Sequence, residues 1–317
     1  MRSYALKRVL LAIPTIIGVI TLVFFALHLA PGDPVNMMLP PDLDGPVREE
    51  VVARIRAQYG LDQPLLVQYV NYLSRLARLD LGRSFRTNTS IADDLARRIP
   101  NTLQLGLLSL AVAITLGVGF GVVSAVRRDT PLDNATMFGA LFGVSIPSFW
   151  FGFMLMLLFG LWWRVLPPSG FAGPITSWTG FRHAILPALT LGLAAAGALA
   201  RFTRSSMLDV LTQDYVRTAR SKGLAERVVI VRHALKNALI PVVTIMGIQL
   251  GAVLSGSVIT ETVFAWPGIG RYMVTGINTR DFPVIQATVL VVAVSFVLAN
   301  LVTDLVYAFI DPRIRYD

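Results

Sequence analysis

The sequence contains no cysteine, only three histidines and little charge, and each shortage excludes a class of function. Without cysteine the chain forms no disulfide, zinc–thiolate site, iron–sulfur cluster or thiol nucleophile. His28, His183 and His233 are far apart in the sequence and predict no shared metal site. The phosphate-binding pattern G-x-x-x-x-G-K-[ST] is absent, so the chain has no P-loop for ATP. We therefore expect no catalytic, metal or cofactor site in this chain.

Long apolar runs dominate what is present. Charged residues make up 15% of the 317 residues, hydrophobic residues 54%, and the mean hydropathy is +0.63. Runs of about 20 apolar residues match the roughly 30 Å hydrocarbon layer at 1.5 Å rise per residue. Lipid offers backbone amides no partner, so each run must be helical. The sequence predicts an all-α membrane protein whose six transmembrane helices cover residues 9–30, 101–126, 135–163, 184–202, 238–264 and 287–310.

The distribution of basic residues predicts how these helices are oriented. With the N-terminus in the cytoplasm, the inner segments contain 15 Lys and Arg residues, whereas the short outer loops and their flanks contain only Arg164, Arg182, Arg271 and Arg280. This asymmetry follows the positive-inside rule and places both termini in the cytoplasm. The net charge of +9 is then a signal of topology and of protein contacts, and we expect no nucleic-acid partner.

The segment 31–100 has a different composition and is expected to form a small helical domain outside the membrane. Gly60 ends a first predicted helix, and an amphipathic helix follows over 64–79. We expect the apolar side of that helix to contain Leu66, Tyr69, Val70, Leu73 and Leu76. Two interpretations stay open, namely packing over the mouth of the bundle and a landing surface for a soluble partner.

Few polar residues interrupt the predicted membrane helices, and they are the candidates for a solute pathway. Such residues in a membrane helix usually face a cavity or a partner. The candidates are Gln249, Ser255, Ser257, Glu261 and Asn300. A secondary carrier would instead need a chain of titratable groups at mid-membrane or an inverted repeat of broken helices, and the sequence shows neither.

The strongest functional signal is the basic segment 203–236 between the fourth and fifth predicted helices. Its central run, DYVRTARSKGLAERVVIVRHALKNALIP, covers 214–241. Residues 214–222 are compatible with a short helix, and Gly223 supplies a turn after it. Small and apolar side chains among basic ones are suited to insertion into a groove of a soluble partner.

This run resembles the EAA loop of binding-protein-dependent ABC importer permeases. Arg217-Thr218-Ala219 stands at the EAA triplet, of which only the last alanine is kept, and Gly223 follows at the family's spacing. The departures resemble the dipeptide, oligopeptide and nickel subfamily, and the closest likeness is to the first of its two permease subunits. Other matches along the chain are PGDP at 31–34, YGLDQP at 59–64, GRSF at 82–85, PSF at 147–149, ETVF at 261–264 and WPGIG at 266–270.

The resemblance implies the type I importer permease fold and a division of the chain into four parts. These are 1–30, the tail and first helix; 31–100, the extracytoplasmic segment; 101–310, helices two to six with the coupling loop 203–236; and 311–317, a cytoplasmic tail. The residues implied to couple the permease to an ATPase are Tyr215, Arg217, Thr218, Ala219, Lys222, Gly223 and Leu224. We expect Ala219 and Gly223 to lie at the ATPase contact.

The resemblance also implies partners, a location and a cargo. The partners are a second homologous permease, two ATPase subunits that bind ATP and magnesium, and an extracytoplasmic solute-binding protein. The location is the bacterial cytoplasmic membrane, which the chain crosses several times. Di- and oligopeptides are the leading candidates for the cargo, and nickel chelates and glutathione remain alternatives.

Overall fold

The computed structural model describes residues 2–29 and 45–310, and these residues form helices. The one extended pairing among them is an isolated antiparallel bridge between Arg83 and Ser90. In chain order the helices are α1 (Arg2–Leu29), α2 (Pro46–Tyr59), α3 (Leu65–Ala77), α4 (Ile91–Val126), α5 (Pro131–Ser145), α6 (Ser148–Leu155), α7 (Trp178–Leu211), α8 (Asp214–Ser221), α9 (Glu226–Val228), α10 (Lys236–Val263), α11 (Ile269–Thr279) and α12 (Phe282–Ile310). Two π-helical turns, Met156–Trp162 and Val229–Leu235, continue α6 and precede α10. The all-helical fold predicted from the sequence is confirmed for these residues.

Helix α4 begins ten residues before the position that the apolar run predicts. Ser90 caps it, because its hydroxyl accepts a hydrogen bond from the amide of Asp93 at 3.4 Å. Asp93 and Asp94 in the first turn complement the positive end of the helix dipole. Hydropathy alone locates the membrane-spanning part of a helix and misses such a polar first turn.

Glycines let α4 and α7 pack closely at the centre of the bundle. A Cβ on Gly117 would lie 2.6 Å from the Cβ of Leu199, and one on Gly121 would lie 2.5 Å from the Cβ of Thr203. Any larger residue at either position would push the two helices apart. These two glycines therefore permit the close approach of α4 and α7.

Four of the described helices are long and apolar enough to span a membrane. They are α1, α4, α7 and α12. Helix α5, together with α6 and its π-helical turn, is also long and apolar enough, but the pair is bent by 107°, as in a broken span or a re-entrant loop. The bend falls at Pro147, where the sequence predicts a kink. Helix α10, with 28 residues, corresponds to the fifth predicted run, but side chains near its middle lie outside the described residues. Six spans, and cytoplasmic placement of both termini, remain predictions.

The bundle has two ends, which we name after the short helices found there. The α11 end contains α11, the start of α4 and the start of α12, whose side chains form one buried cluster around Ile91, Ile269 and Val284. The α8 end contains α8, the end of α4 and the end of α7, where Ala125, Met207 and the start of α10 pack together. The predicted topology places the α8 end in the cytoplasm and the α11 end outside.

Helices α2 and α3 confirm the two helices predicted within 31–100, of which 31–44 lie outside the described residues. Tyr72 of α3 packs against Phe24 of α1 and Leu290 of α12. The expected apolar side of α3 is only partly correct, since Leu66 and Val70 are 70% and 61% exposed. The helical spacing of apolar residues in α3 does not show which of them contact protein and which face another apolar environment.

Candidate functional site

Helix α8 is short and amphipathic, and one face of it packs firmly against the chain. Val216 is fully buried and Ala219 is 5% exposed, and both contact Val229 in the π-helical turn that follows. The sequence places these two residues three positions apart, which puts them on the same face of a helix. The remaining residues of α8 therefore form its outer surface.

A glycine turn ends α8 and directs the chain back toward the bundle. Gly223 has a φ of +75°, the left-handed conformation that glycine adopts without a steric penalty. Its amide donates a hydrogen bond to the carbonyl of Arg220 at 2.9 Å. A Cβ at Gly223 would meet open space, so backbone conformation and not crowding explains the glycine.

Two polar contacts attach α8 to the chain that follows it, one to α9 and one to α10. Arg220 forms an ion pair with Glu226 at 2.7 Å, and this hydrogen bond lowers the pKa of the Glu226 carboxyl. The Asn237 side-chain amide, in the first turn of α10, donates a hydrogen bond to the hydroxyl of Tyr215 at 2.9 Å. Together with the contact to Val229, these bonds join α8 to the segment 226–237 that leads into α10.

Most of the residues expected to couple the chain to an ATPase lie on the exposed surface of α8 and its turn. We call this exposed set the α8 knob, and it consists of Tyr215, Arg217, Thr218, Lys222, Gly223 and Leu224. Ala219 differs from the expectation. Because it is buried against Val229, it contributes to the packing of α8 and does not belong to the exposed surface.

A largely buried ion pair joins α4, α5 and α7, and sequence reasoning missed it. Arg204 of α7 makes two hydrogen bonds to the carboxylate of Asp133, at 2.8 and 3.0 Å. The hydroxyl of Ser124, near the end of α4, also donates to Asp133, as does the amide of Asp129 at 3.0 Å. The residues are up to 80 positions apart in sequence, and local spacing gives no signal for such a contact.

The α11 end is organised around Glu261, which is fully buried. Its carboxylate accepts hydrogen bonds from the hydroxyls of Thr102 at 2.7 Å and Ser257 at 3.1 Å, and from the amide of Arg271 at 3.1 Å. Thr102 in turn accepts a hydrogen bond from the amide of Ile269 at 2.9 Å. The network thus binds the first turn of α11, where helix amides lack partners in their own helix.

Glycines make room for this carboxylate. A Cβ on Gly268 would lie 2.3 Å from an oxygen of Glu261, and one on Gly270 would lie 3.1 Å from the other oxygen. Trp266, also fully buried, donates a hydrogen bond from its indole nitrogen to the carbonyl of Asn101 at 3.0 Å. The stretch 261–270 is therefore a compact connection between α10, α11 and α4.

The predicted pathway residues do not converge on one place. Ser257 and Glu261 meet in the network at the α11 end. Asn300 lines an apolar groove between α1 and α12 near the α8 end, which also contains Arg8. Gln249 is partly buried in α10, and the side chain of Ser255 lies outside the described residues. Their assignment to a solute pathway stays a prediction.

Comparison with known families decides the class of protein. Residues 117–316 match the family described as binding-protein-dependent transport system inner membrane component, and residues 1–106 match its N-terminal partner family. The chain belongs to this family of ABC importer permeases. The family placement agrees with the resemblance found in the sequence, and it makes the protein a multi-pass component of the inner membrane.

Similar proteins match over the whole length. The glutathione transport system permease protein GsiC of Salmonella choleraesuis is 45% identical over 316 residues, which is 100% of both chains. The protein of the same name from Escherichia coli K12 is 44% identical over the same length. These relatives are transport subunits and not enzymes.

Solved structures support the fold. An inward-facing structure of the MetNI methionine ABC transporter aligns with a TM-score of 0.58 at 17% identity, covering 69% of this chain and 96% of that chain. A second crystal form of the same transporter aligns with a TM-score of 0.53 at 20% identity, covering 68% and 96%. At this level of identity the likeness concerns the arrangement of helices alone.

Proposed function

We propose that this chain forms half of the membrane pathway of an ATP-driven importer of short peptides, with glutathione as the first candidate substrate. A second, homologous permease forms the other half. Two ATPase subunits bind ATP and magnesium and contact the α8 knob, and a solute-binding protein delivers the cargo at the α11 end. The chain itself hydrolyses nothing.

The geometry of α8 is the observation that supports ATP coupling. The α8 knob is exposed, positively charged and partly apolar, while Val216 and Ala219 attach α8 to the segment before α10. Closure of an ATPase dimer displaces the knob, and the contacts from α8 to Val229 and Asn237 pass this displacement to α10. Helix α10 then moves relative to its neighbours, which opens the pathway alternately to either side.

Similarity over the full chain supports the choice of substrate. Permeases named for glutathione transport share 45% of their residues with this chain over its entire length. Glutathione is a tripeptide, so this choice also agrees with the peptide class that the sequence resemblance implies. Because binding proteins contribute much of the selectivity in such systems, longer peptides and nickel chelates are the competitors to test against it.

Reconstituted transport tests the proposal. The complete complex, with its genomic partner subunits, is placed in proteoliposomes whose lumen contains ATP and magnesium and faces the ATPase subunits, and the binding protein and radiolabelled glutathione are added outside. We expect radiolabelled glutathione to accumulate in the lumen, on the ATPase side, only when ATP, magnesium and the binding protein are all present. Excess unlabelled glutathione should suppress the signal more strongly than a dipeptide or a nickel chelate at equal concentration.

Two results would contradict the proposal at different levels. Uptake of another solute in preference to glutathione would reject the substrate and leave the ATP-driven importer intact. Uptake that continues with the permeases alone, without ATPase subunits, would reject the importer mechanism and favour a secondary carrier.

A further inference from the structure

Helix α3 has an apolar flank that no described residue covers. Leu66 and Val70 are 70% and 61% exposed, and Val67 is 43% exposed. Leu66 and Val70 are one helical turn apart and therefore lie on the same flank. Adjacent exposed apolar side chains on one flank indicate a contact surface.

The contacts of the opposite face fix where α3 lies along the membrane helices. The hydroxyls of Tyr69 and Thr21 are 2.6 Å apart, and Thr21 belongs to the apolar span Lys7–Ala26. Thr21 is five positions before Ala26, the end of that span, so the contact lies about 7 Å inside it. Helix α3 thus lies beside the last turns of α1 and not above them.

A second contact also lies within an apolar span. The rings of Tyr72 and Phe24 are 5.4 Å apart, and both side chains pack with Leu290. Leu290 lies in the apolar span Phe282–Thr303, about 12 Å from its beginning. Contacts with two apolar spans therefore place α3 beside the outer part of the membrane helices and not beyond their ends.

The low number of charged residues in α3 is compatible with a position at the membrane interface, whereas the composition of its neighbour α2 is not. Helix α3 contains a single charged residue, Arg75, near its C-terminal end. Helix α2, of similar length, contains five: Arg48, Glu49, Glu50, Arg54 and Arg56. An amphipathic helix with few charges and with tyrosines is typical of the membrane interface.

We propose that α3 lies in the bilayer interface and that Leu66, Val67 and Val70 insert among the acyl chains of the leaflet at the α11 end. Helix α1, against which α3 packs, also has exposed apolar side chains, since Leu22 and Leu29 are 69% and 76% exposed. The occupant of this flank is therefore lipid and not a soluble binding protein.

The other flank of α3 faces water in this arrangement. Asn71, Ser74 and Arg75 line an open cavity of about 500 Å³, which is also lined by residues of α2 and α12. One flank of α3 therefore faces lipid and the other faces water. Labels placed on the two flanks should differ in their accessibility to apolar and to water-soluble reagents.

Site-directed spin labelling tests the proposal, and because this chain has no native cysteine, each variant takes up one label on it, at the introduced position. Single cysteines replace Leu66 or Val70 on the proposed lipid flank. Ser74→Cys on the wet flank and Ala53→Cys on α2 serve as controls. Each variant is labelled with a nitroxide in the complete transporter in lipid nanodiscs, and its collision rates with oxygen and with a water-soluble nickel chelate are measured.

We expect labels at 66 and 70 to collide preferentially with oxygen, by several-fold relative to the controls, and labels at 74 and 53 to collide preferentially with the nickel chelate. Nickel accessibility at 66 and 70 equal to that at 74 would overturn the proposal. Low accessibility to both reagents at 66 and 70 would also overturn it, because a partner subunit would then cover the flank. No outcome depends on the transported substrate, so a wrong substrate leaves the test valid.

Discussion

The two ends of the bundle differ in how far their charged side chains are buried. At the α11 end Glu261 and Asp281 are 0% and 2% exposed, and the carboxylate of each accepts several hydrogen bonds. At the α8 end the ion pair between Arg220 and Glu226 is about half exposed, and the α8 knob projects from the chain. The charged groups at the α11 end are satisfied within the chain, whereas the α8 end presents an exposed surface for contact.

The difference shows which residues hold the fold and which are available to a partner. Asp281 accepts hydrogen bonds from the hydroxyl of Ser84 at 2.5 Å and the amide of Phe85 at 3.2 Å, which joins the segment before α4 to α12. Removing a buried hydrogen-bond acceptor leaves its donors without a partner. The loss of folding free energy is larger than the loss from breaking an exposed ion pair. We therefore expect substitutions at the α11 end to reduce stability and substitutions in the knob to reduce coupling.

The largest effect is expected for Glu261→Ala. It leaves the hydroxyls of Thr102 and Ser257 and the amide of Arg271 without their acceptor, at about 1–3 kcal/mol for each buried donor. The melting temperature of the detergent-purified complex and the amount of protein in the membrane should both fall sharply.

Thr262→Ala on the same helix is the matched control, because the Thr262 hydroxyl bonds only to a carbonyl of its own helix at an exposed position. Equal stability of the Glu261→Ala and Thr262→Ala variants would show that the network does not hold the α11 end together.

The next effect is expected at the ion pair that joins α4, α5 and α7. Asp133→Asn removes the charge that Arg204 contacts through two hydrogen bonds, and we expect a loss of about 2 kcal/mol. Asp129→Asn, four residues earlier, serves as control because its ion pair with Arg128 is largely exposed. A melting temperature of Asp133→Asn that matches the control would contradict a structural role for this pair.

The smallest effect is expected for Glu226→Gln beside the knob. Arg220 lowers the pKa of the Glu226 carboxyl in the folded protein. The ion pair therefore stabilises the fold at pH values above the ordinary carboxyl pKa. This stabilisation is lost as the pH falls through the lowered pKa of Glu226. Solvent screens the pair, which limits the effect to less than about 1 kcal/mol. The melting-temperature difference from wild type should vanish in acid and in high salt; a difference that persists there would assign the effect to packing.

Local sequence patterns predicted the helices and turns of the fold better than the long-range contacts between them. Apolar runs indicated the long helices, Pro147 indicated the bend in the third run, and Gly223 indicated the turn after α8. Each of these depends on a single stretch of chain. The contacts of Asp133 with Arg204 and of Thr102 with Glu261 join residues 71 and 159 positions apart, and no local pattern reveals them.

The site was predicted as a segment, but the faces of its helix were not. The sequence identified the loop 203–236 as the coupling segment and named residues between Tyr215 and Leu224 within it. The structure shows that Ala219 is buried while Thr218 and Arg220 are exposed. Helix α3 shows the same limit, since its apolar residues divide between Phe24 on one side and an open flank on the other. Helical spacing groups residues by face, and only the tertiary structure shows what each face meets.

The ratio of solute imported to ATP hydrolysed, measured in proteoliposomes for Gly223→Glu, tests the central claim most directly. Gly223→Asn is the control, because asparagine tolerates the left-handed backbone without adding charge. The account predicts that Gly223→Glu assembles in the membrane and loses solute import per ATP, while Gly223→Asn keeps most of it. Full import per ATP in Gly223→Glu would contradict a role of the α8 knob in coupling.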